Sequence, residues 1–202
     1  MFVLAKLILI RHGQSVWNAE NRFTGWTDVD LSEKGVLEAE EAGQELRNQG
    51  IDVVHTSDLI RAQRTAEIVI QANDSSNETV TKTDWRLNER NYGELQGLNK
   101  AETAEKHGSE QVHIWRRSFD VAPPDGESLE MTAERTIPYF EEEIRPDLES
   151  GMDVLVSAHG NSLRSIVMHI EDISPEDIVS FEIPTGVPRY YEFIEGEIKL
   201  VD

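Results

Sequence analysis

Cysteine is absent from this sequence, which excludes disulfides, thiolate metal sites and cysteine nucleophiles together. The absence also suits a cytoplasmic protein. Long apolar runs are missing too, and none approaches the ~20 residues that a bilayer-crossing helix needs, so a membrane protein is not expected. The segment Met1–Ile10 has no basic region and no small-residue cleavage site before it runs into a motif. It reads as a buried strand, not a signal peptide. Positive charge is the third scarcity: 19 basic residues face 39 acidic ones, for a net charge of −20. That balance excludes nucleic acid as a partner. It also repels anions at long range, so an anionic ligand binds only where cations are gathered locally. The acidic surplus itself reads either as a solvated surface or as adaptation to high salt, and composition leaves both open.

What is present fits one α/β domain over residues 1–202, with 38% hydrophobic and 29% charged residues. Two short apolar runs end alike. Leu7-Ile8-Leu9-Ile10 leads into Arg11-His12-Gly13, and Val154-Leu155-Val156 leads through Ser157-Ala158 into His159-Gly160. Such runs, followed by helical patterns, predict parallel central strands whose carboxyl ends carry the ligand site. Between them a helix is expected from Leu31-Ser32 towards Gly50, with Leu37, Ala39, Ala42, Gly43 and Leu46 on its apolar side. A strand over residues 52–56, a helix over 59–72, a loop over 73–77 and a weak strand over 79–82 follow. The polar, aromatic stretch of about residues 85–124 reads as a cap with two short helices. A longer helix over 127–149 bends at Pro138, a helix covers 162–170, and a hairpin turns at Glu195-Gly196. The expected architecture is a three-layer α/β/α sandwich with a mostly parallel central sheet and a helical and loop cap over the strand C-terminal ends.

His12 beside Arg11 pairs an imidazole nucleophile with a guanidinium that recognises phosphate through a bidentate fork, which suits a phosphohistidine. Taken alone, a His at a strand end is more often structural. His159 supplies a second imidazole at a helix start, where free N–H groups favour an anion, and two such corners in one sheet converge on one phosphoryl group. A metal site would want three or more ligands, and His55, His107, His113 and His169 fall in no ligand-like pattern. Arg61 and Arg64 start the second helix within reach of the same phosphate; for Arg64, pairing with nearby acids is the preferred reading.

Over almost its whole length the chain resembles the 2,3-bisphosphoglycerate-dependent phosphoglycerate mutases of the histidine phosphatase superfamily. The stretches Arg11-His12-Gly13 and Ala158-His159-Gly160-Asn161-Ser162 mark the superfamily. Phe23-Thr24-Gly25-Trp26, Leu87-Asn88-Glu89-Arg90, Gln96-Gly97-Leu98-Asn99-Lys100 and Trp115-Arg116-Arg117 are more specific to the mutases. The resemblance implies that His12 is phosphorylated, that Arg11, Arg61 and His159 grip the phosphoryl group, and that Asn18, Gly160 and Asn161 bind beside it. It implies Glu89 as proton donor and acceptor, a role that a pKa raised towards neutrality favours. Thr24, Gly25, Arg90, Tyr92, Lys100, Arg116 and Arg117 then hold the substrate's carboxylate and second phosphate. The implied cofactor is 2,3-bisphosphoglycerate as a catalytic primer, with no metal. The implied partners are small phosphoglycerates, with no nucleic acid and no membrane. Residue by residue, Glu89 also reads as an ion-pair partner of Arg90, and Arg116-Arg117 as a solvated helix-capping pair.

Three features depart from the family pattern. Gln14 stands where a Glu is common, Pro123-Pro124 runs almost directly into Asp125-Gly126-Glu127 without a longer charged insertion, and the chain stops soon after Tyr191-Glu192-Phe193. The missing insertion leaves monomer and homodimer both open. A less sealed pocket admits water, so hydrolysis is expected beside mutase and bisphosphoglycerate mutase activity. The rival readings are a phosphatase on the same fold and a phosphate-binding module without activity. Intact His12, His159, Arg11, Arg61 and Glu89 argue against the latter.

Overall fold

The computed structural model describes residues 3–74 and 79–201. Residues 75–77 of the expected surface loop lie outside them. Six strands form one mixed sheet in the order β3-β2-β4-β1-β5-β6. They are β1 (Leu4–Arg11), β2 (Val53–Thr56), β3 (Val80–Thr83), β4 (Val154–Ala158), β5 (Pro188–Ile194) and β6 (Glu197–Leu200). β3, β2, β4 and β1 pair in parallel, while β5 and β6 add an antiparallel edge. The hairpin turns at Glu195 and Gly196, both at positive φ (52° and 92°), the twist that a two-residue turn requires.

Alternation along β1 divides the core into two layers. Leu7 and Leu9 enter one apolar cluster, and Ile8 and Ile10 enter the other. After the short α1 (Val16–Ala19), helices α2 (Glu33–Glu45) and α3 (Ile60–Ala72) cover the second face through Ala42, Ala66 and Val69. The cap carries α4 (Lys100–His107) and α5 (Ser109–Arg117). On the first face lie α6 (Leu129–Tyr139), α7 (Arg145–Glu149) and α8 (Gly160–Glu171), followed by the single-turn α9 (Pro175–Ile178). The three-layer expectation holds.

Several details differ from the sequence reading, among them the short α1, which it did not contain. Leu37 is 58% exposed and belongs to no core cluster, because the buried stripe of α2 runs through Gly35, Ala39, Ala42 and Gly43. The expected 127–149 helix is interrupted by a π-helical stretch, Phe140–Ile144, just after Pro138, whose ring supplies no N–H to the ladder. Helix α8 begins two residues early, at Gly160, and α9 was not foreseen.

The cap closes over the strand ends by pairing two distant segments. Phe23 N–H donates to the Leu98 carbonyl (3.0 Å), Gly97 N–H to Phe23 (2.8 Å) and Lys100 N–H to Asn21 (2.8 Å). Phe23, Leu95 and Val112 form the small apolar cluster beneath. Below the cap, the His12 corner packs backbone to backbone against α2: a Cβ on Gly35 would sit 2.0 Å from the Gln14 carbonyl oxygen. Gly35→Ala therefore has to displace the segment two residues from His12. We expect it to destabilise the fold by about 1–3 kcal/mol, the usual range for overpacking, seen as a lower urea midpoint at unchanged m-value. An unchanged midpoint would mean the corner yields without cost.

Candidate active site

In the parallel register of β1 and β4, Arg11 lies opposite Ala158, so the next residue of each chain segment emerges at the same level. His12 N–H donates to the Ala158 carbonyl (3.0 Å), and the His12 and His159 rings meet edge to face with centroids 4.9 Å apart. His12 Nδ1 contacts the Gly13 carbonyl at 2.6 Å. A carbonyl only accepts, so Nδ1 carries the proton and Nε2 keeps its lone pair. Burial, followed by the charges of Arg61 and Arg11, holds His12 well below the ordinary histidine pKa. The result is a neutral imidazole with one free nucleophilic nitrogen.

His159 is set by the neighbouring strand. Ser57, just beyond β2, accepts from Leu59 N–H (3.2 Å) and directs its hydroxyl at His159 Nε2 (2.7 Å). The other ring nitrogen, Nδ1, is buried without a partner. Burial and then Arg61 keep this ring neutral as well. Arg61 lies in the first turn of α3, donating to the Thr27 (3.0 Å) and Gly25 (2.7 Å) carbonyls, and burial pushes its pKa down to about 10. Arg11 donates to the Ile183 carbonyl (2.9 Å).

Glu89 enters from the cap. Its Oε1 accepts from Arg90 N–H (2.8 Å), Asn161 N–H (3.1 Å) and the Asn161 side-chain amide (3.0 Å), so the start of α8 points at a carboxylate. Burial alone would raise its pKa, but the Arg90 N–H, the Arg11 charge, the Asn161 amide and Arg61 outweigh it, and the pKa lies below the usual glutamate value. The expected rise is not seen. The Glu89 backbone is pinned separately, its carbonyl accepting from Trp26 (2.5 Å) and Arg135 (3.0 Å). Arg90 does not pair with Glu89 through its guanidinium, which reaches the Tyr92 hydroxyl (3.0 Å) and the Arg116 carbonyl (2.9 Å).

These groups surround one cavity. Of the fifteen site residues expected from sequence, thirteen line it; His159 lies against His12, and Arg90 packs behind Tyr92. Arg22 and Arg164 join the expected Arg11, Arg61, Lys100, Arg116 and Arg117, so seven cations face only two carboxylates, Glu89 and Glu182. The positive cleft inside a negative shell is therefore real. Arg117 pairs with Glu182 (2.6 Å) at the mouth, and Arg64 pairs with Asp30 (2.6 Å), away from the lining. Gln14 turns its side chain to the Ser32 hydroxyl (2.9 Å) at the start of α2, not to the cavity. Among the described residues, the buried side-chain atoms without a partner are Arg11 Nε, Thr24 Oγ1, Arg61 Nε, Arg90 Nε and His159 Nδ1. Arg11, Thr24 and Arg61 line the cavity, and an unmet buried donor is expensive, so these three predict an oxygen-rich anion.

The model of the histidine phosphatase superfamily (branch 1) matches residues 7–202. The 2,3-bisphosphoglycerate-dependent phosphoglycerate mutase of Protochlamydia amoebophila is 50% identical, over 96% of this chain and 97% of its own. That of Neisseria meningitidis serogroup C is 48% identical, over 98% of both. The chain belongs to this superfamily, in the family of the 2,3-bisphosphoglycerate-dependent phosphoglycerate mutases. The solved structure of a mycobacterial glucosyl-3-phosphoglycerate phosphatase with VO3 superposes with a TM-score of 0.81 at 25% identity, over 93% of this chain and 90% of that one. The alignment with the Protochlamydia mutase spans 220 positions, more than the 202 residues here, so the relative carries residues that this family member lacks.

Sequence reasoning missed Arg22, Ser57, Arg135 and Arg164 as parts of this superfamily site. Arg164 had a readable signal, standing one helical turn after Asn161 on the same face. Ser57 and Arg135 act on backbone and ring partners that only the fold brings near. Among the described residues no three His, Asp or Glu side chains gather as metal ligands, and no helix is long and apolar enough to cross a membrane.

Burial first of all depresses the pKa of His12, His159 and His55. In the unfolded chain each titrates near 6.5. As pH falls through that value the unfolded state takes up protons that the folded state refuses, so stability is present above it and lost below. The thermal midpoint should fall between neutrality and the carboxylate range, and His12→Gln should flatten that fall. An identical slope in wild type and variant would contradict the neutral, buried imidazole.

Proposed function

We propose that this chain interconverts 3-phosphoglycerate and 2-phosphoglycerate in glycolysis and gluconeogenesis, with His12 carrying the phosphoryl group in transit. The observation that supports this most is a cavity lined by Arg11, Thr24 and Arg61, each with a buried unpartnered donor, beside a neutral His12 with a free Nε2. The same donors and the excess of five positive charges fit 2,3-bisphosphoglycerate as primer. When bound, that compound supplies the phosphoryl group that loads His12. A soluble, cytoplasmic enzyme is the setting that this role implies.

His12 Nε2 forms the P–N bond as the P–O bond to the departing hydroxyl breaks, and Nδ1 stays anchored on Gly13. Arg11, Arg61 and His159 donate to the equatorial oxygens, and α8 presents the Gly160 N–H group from its start, with Asn18 opposite. Two neighbouring guanidinium groups and a helix start supply the charge stabilisation that a cation otherwise gives. Glu89 accepts the proton of the attacking hydroxyl and returns it to the leaving one. An anion on Arg11 and Arg61 offsets the charges that hold Glu89 low, so its pKa rises when substrate binds. The second anionic group of the substrate meets Lys100, Arg116 and Arg117 from the cap, with Thr24, Gly25 and Tyr92 along the wall and Arg90 behind.

Hydrolysis remains a second reading because the Arg117–Glu182 pair at the mouth is 30% and 60% exposed, which leaves water a route to the phosphoryl group. Phosphorus NMR of 3-phosphoglycerate with the protein and a trace of 2,3-bisphosphoglycerate separates the two. Accumulation of 2-phosphoglycerate dependent on the trace is expected; inorganic phosphate alone would favour the phosphatase. His12→Ala should abolish both, and undiminished turnover in that variant would falsify the phosphohistidine step.

A further inference from the structure

We propose that Arg164 is a positioning residue for proton transfer, acting through Asn161 by fixing which end of its side-chain amide faces Glu89. The inference rests on Glu89 being the proton carrier, as read above. Arg164 stands on α8 one turn after Asn161 and is only 7% exposed. Its Nη1 donates to Asn161 Oδ1 (3.3 Å), its Nε to the Phe181 carbonyl (2.7 Å), and its Nη2 lies 3.4 Å from Glu182. On the far side of the amide, Asn161 Nδ2 donates to Glu89 Oε1 (3.0 Å).

A guanidinium has donors and no acceptor. It therefore compels the amide oxygen to face it and leaves the amide nitrogen for the carboxylate. A flipped Asn161 would set nitrogen against guanidinium and oxygen against carboxylate, two repulsive contacts at once. Glu89 Oε1 accepts three donors, and two of them, the Arg90 and Asn161 backbone N–H groups, are fixed by the chain. The Asn161 amide is the one that can turn away without backbone movement, so Arg164 governs the switchable donor. The other charged and titratable groups that act on Glu89 are Arg11 from β1, Arg61 from α3, and Tyr92 and Lys100 from the cap. None of them touches the Asn161 side chain by hydrogen bond among the described residues. Losing the donor favours the protonated carboxyl, so the pH below which Glu89 stops accepting protons moves up.

The test measures kcat and KM for 3-phosphoglycerate across the acid limb in the full-length wild type, Arg164→Met, Arg164→Lys, Asn161→Ala and the Arg164→Met/Asn161→Ala double variant. Arg164→Met should shift the acid limb upward by about half to one pH unit and lower kcat about tenfold, the scale of one hydrogen bond to a charged group. KM should change less than kcat, because Arg164, although it lines the cavity, directs its three nitrogens at Phe181, Asn161 and Glu182 and is one of seven cations there. Arg164→Lys, which also offers only donors, should recover much of both effects. Arg164 also faces Glu89 directly by charge, so in the Asn161→Ala background Arg164→Met should keep only that direct part and shift the limb much less than it does in the wild-type background. An unmoved limb in a cooperatively folded Arg164→Met, or additive effects in the double variant, overturns the proposal. Should the Met variant not fold, Arg164→Gln carries the same test, because it offers both donor and acceptor and no longer enforces one amide orientation. Glu89→Gln separates the two readings. If it keeps the wild-type acid limb, Glu89 is not the proton carrier; if it loses the limb while Arg164→Met leaves it in place, only the role of Arg164 falls.

Discussion

The pairing of β1 with β4 in parallel register is the constraint on which the site depends. With Arg11 opposite Ala158, the two strands release His12 and His159 side by side, and the His12 N–H is still tied to the last carbonyl of β4. A slip of one residue would turn Leu7 and Leu9 out of one core layer and Ile8 and Ile10 out of the other, so burial on both faces of the sheet locks the register. Precision at the two imidazoles is thus inherited from apolar packing that takes no part in the chemistry. β2 extends the same logic by bringing Ser57 beside β4, where its hydroxyl orients His159.

That geometry concentrates positive charge in a chain whose net charge is −20. Seven cations around one cavity repel one another, and the repulsion is tolerated because most are tied to carbonyl oxygens or to carboxylates such as Glu182. Both buried histidines respond by staying neutral, which suits a nucleophile and a hydrogen-bond donor better than two imidazolium ions. Glu89 responds in the opposite sense and stays charged. The three groups form a linked set, since Arg11 and Arg61 act on all of them.

Much of this was legible from the residues. Apolar runs ending in His-Gly predicted central parallel strands, and cationic stretches in the cap answered how so acidic a chain could hold an anion. The less legible parts share a physical reason: they depend on partners distant in sequence. Leu37 fits a helical apolar stripe by spacing, yet α2 buries its glycine and alanine face because the His12 corner needs backbone-close packing there. The π-helical stretch Phe140–Ile144 lies after Pro138, and a proline in a helical pattern signals an interruption without saying what form it takes. Ser57, Arg135 and Arg164 carry no motif, since their task is to hold another residue and that residue is chosen by the fold.

By itself, the sequence determined the fold class, the two histidines, the cluster of arginines and the family, because periodicity, residue chemistry and local motifs are properties of neighbouring positions. The tertiary structure decided which nitrogen of His12 is free, that Glu89 is held charged, and that Arg164 reaches it through Asn161. Those outcomes are set by burial and by hydrogen bonds between segments as far apart as residues 12, 57, 89 and 159, and no spacing along the chain encodes the distance between them.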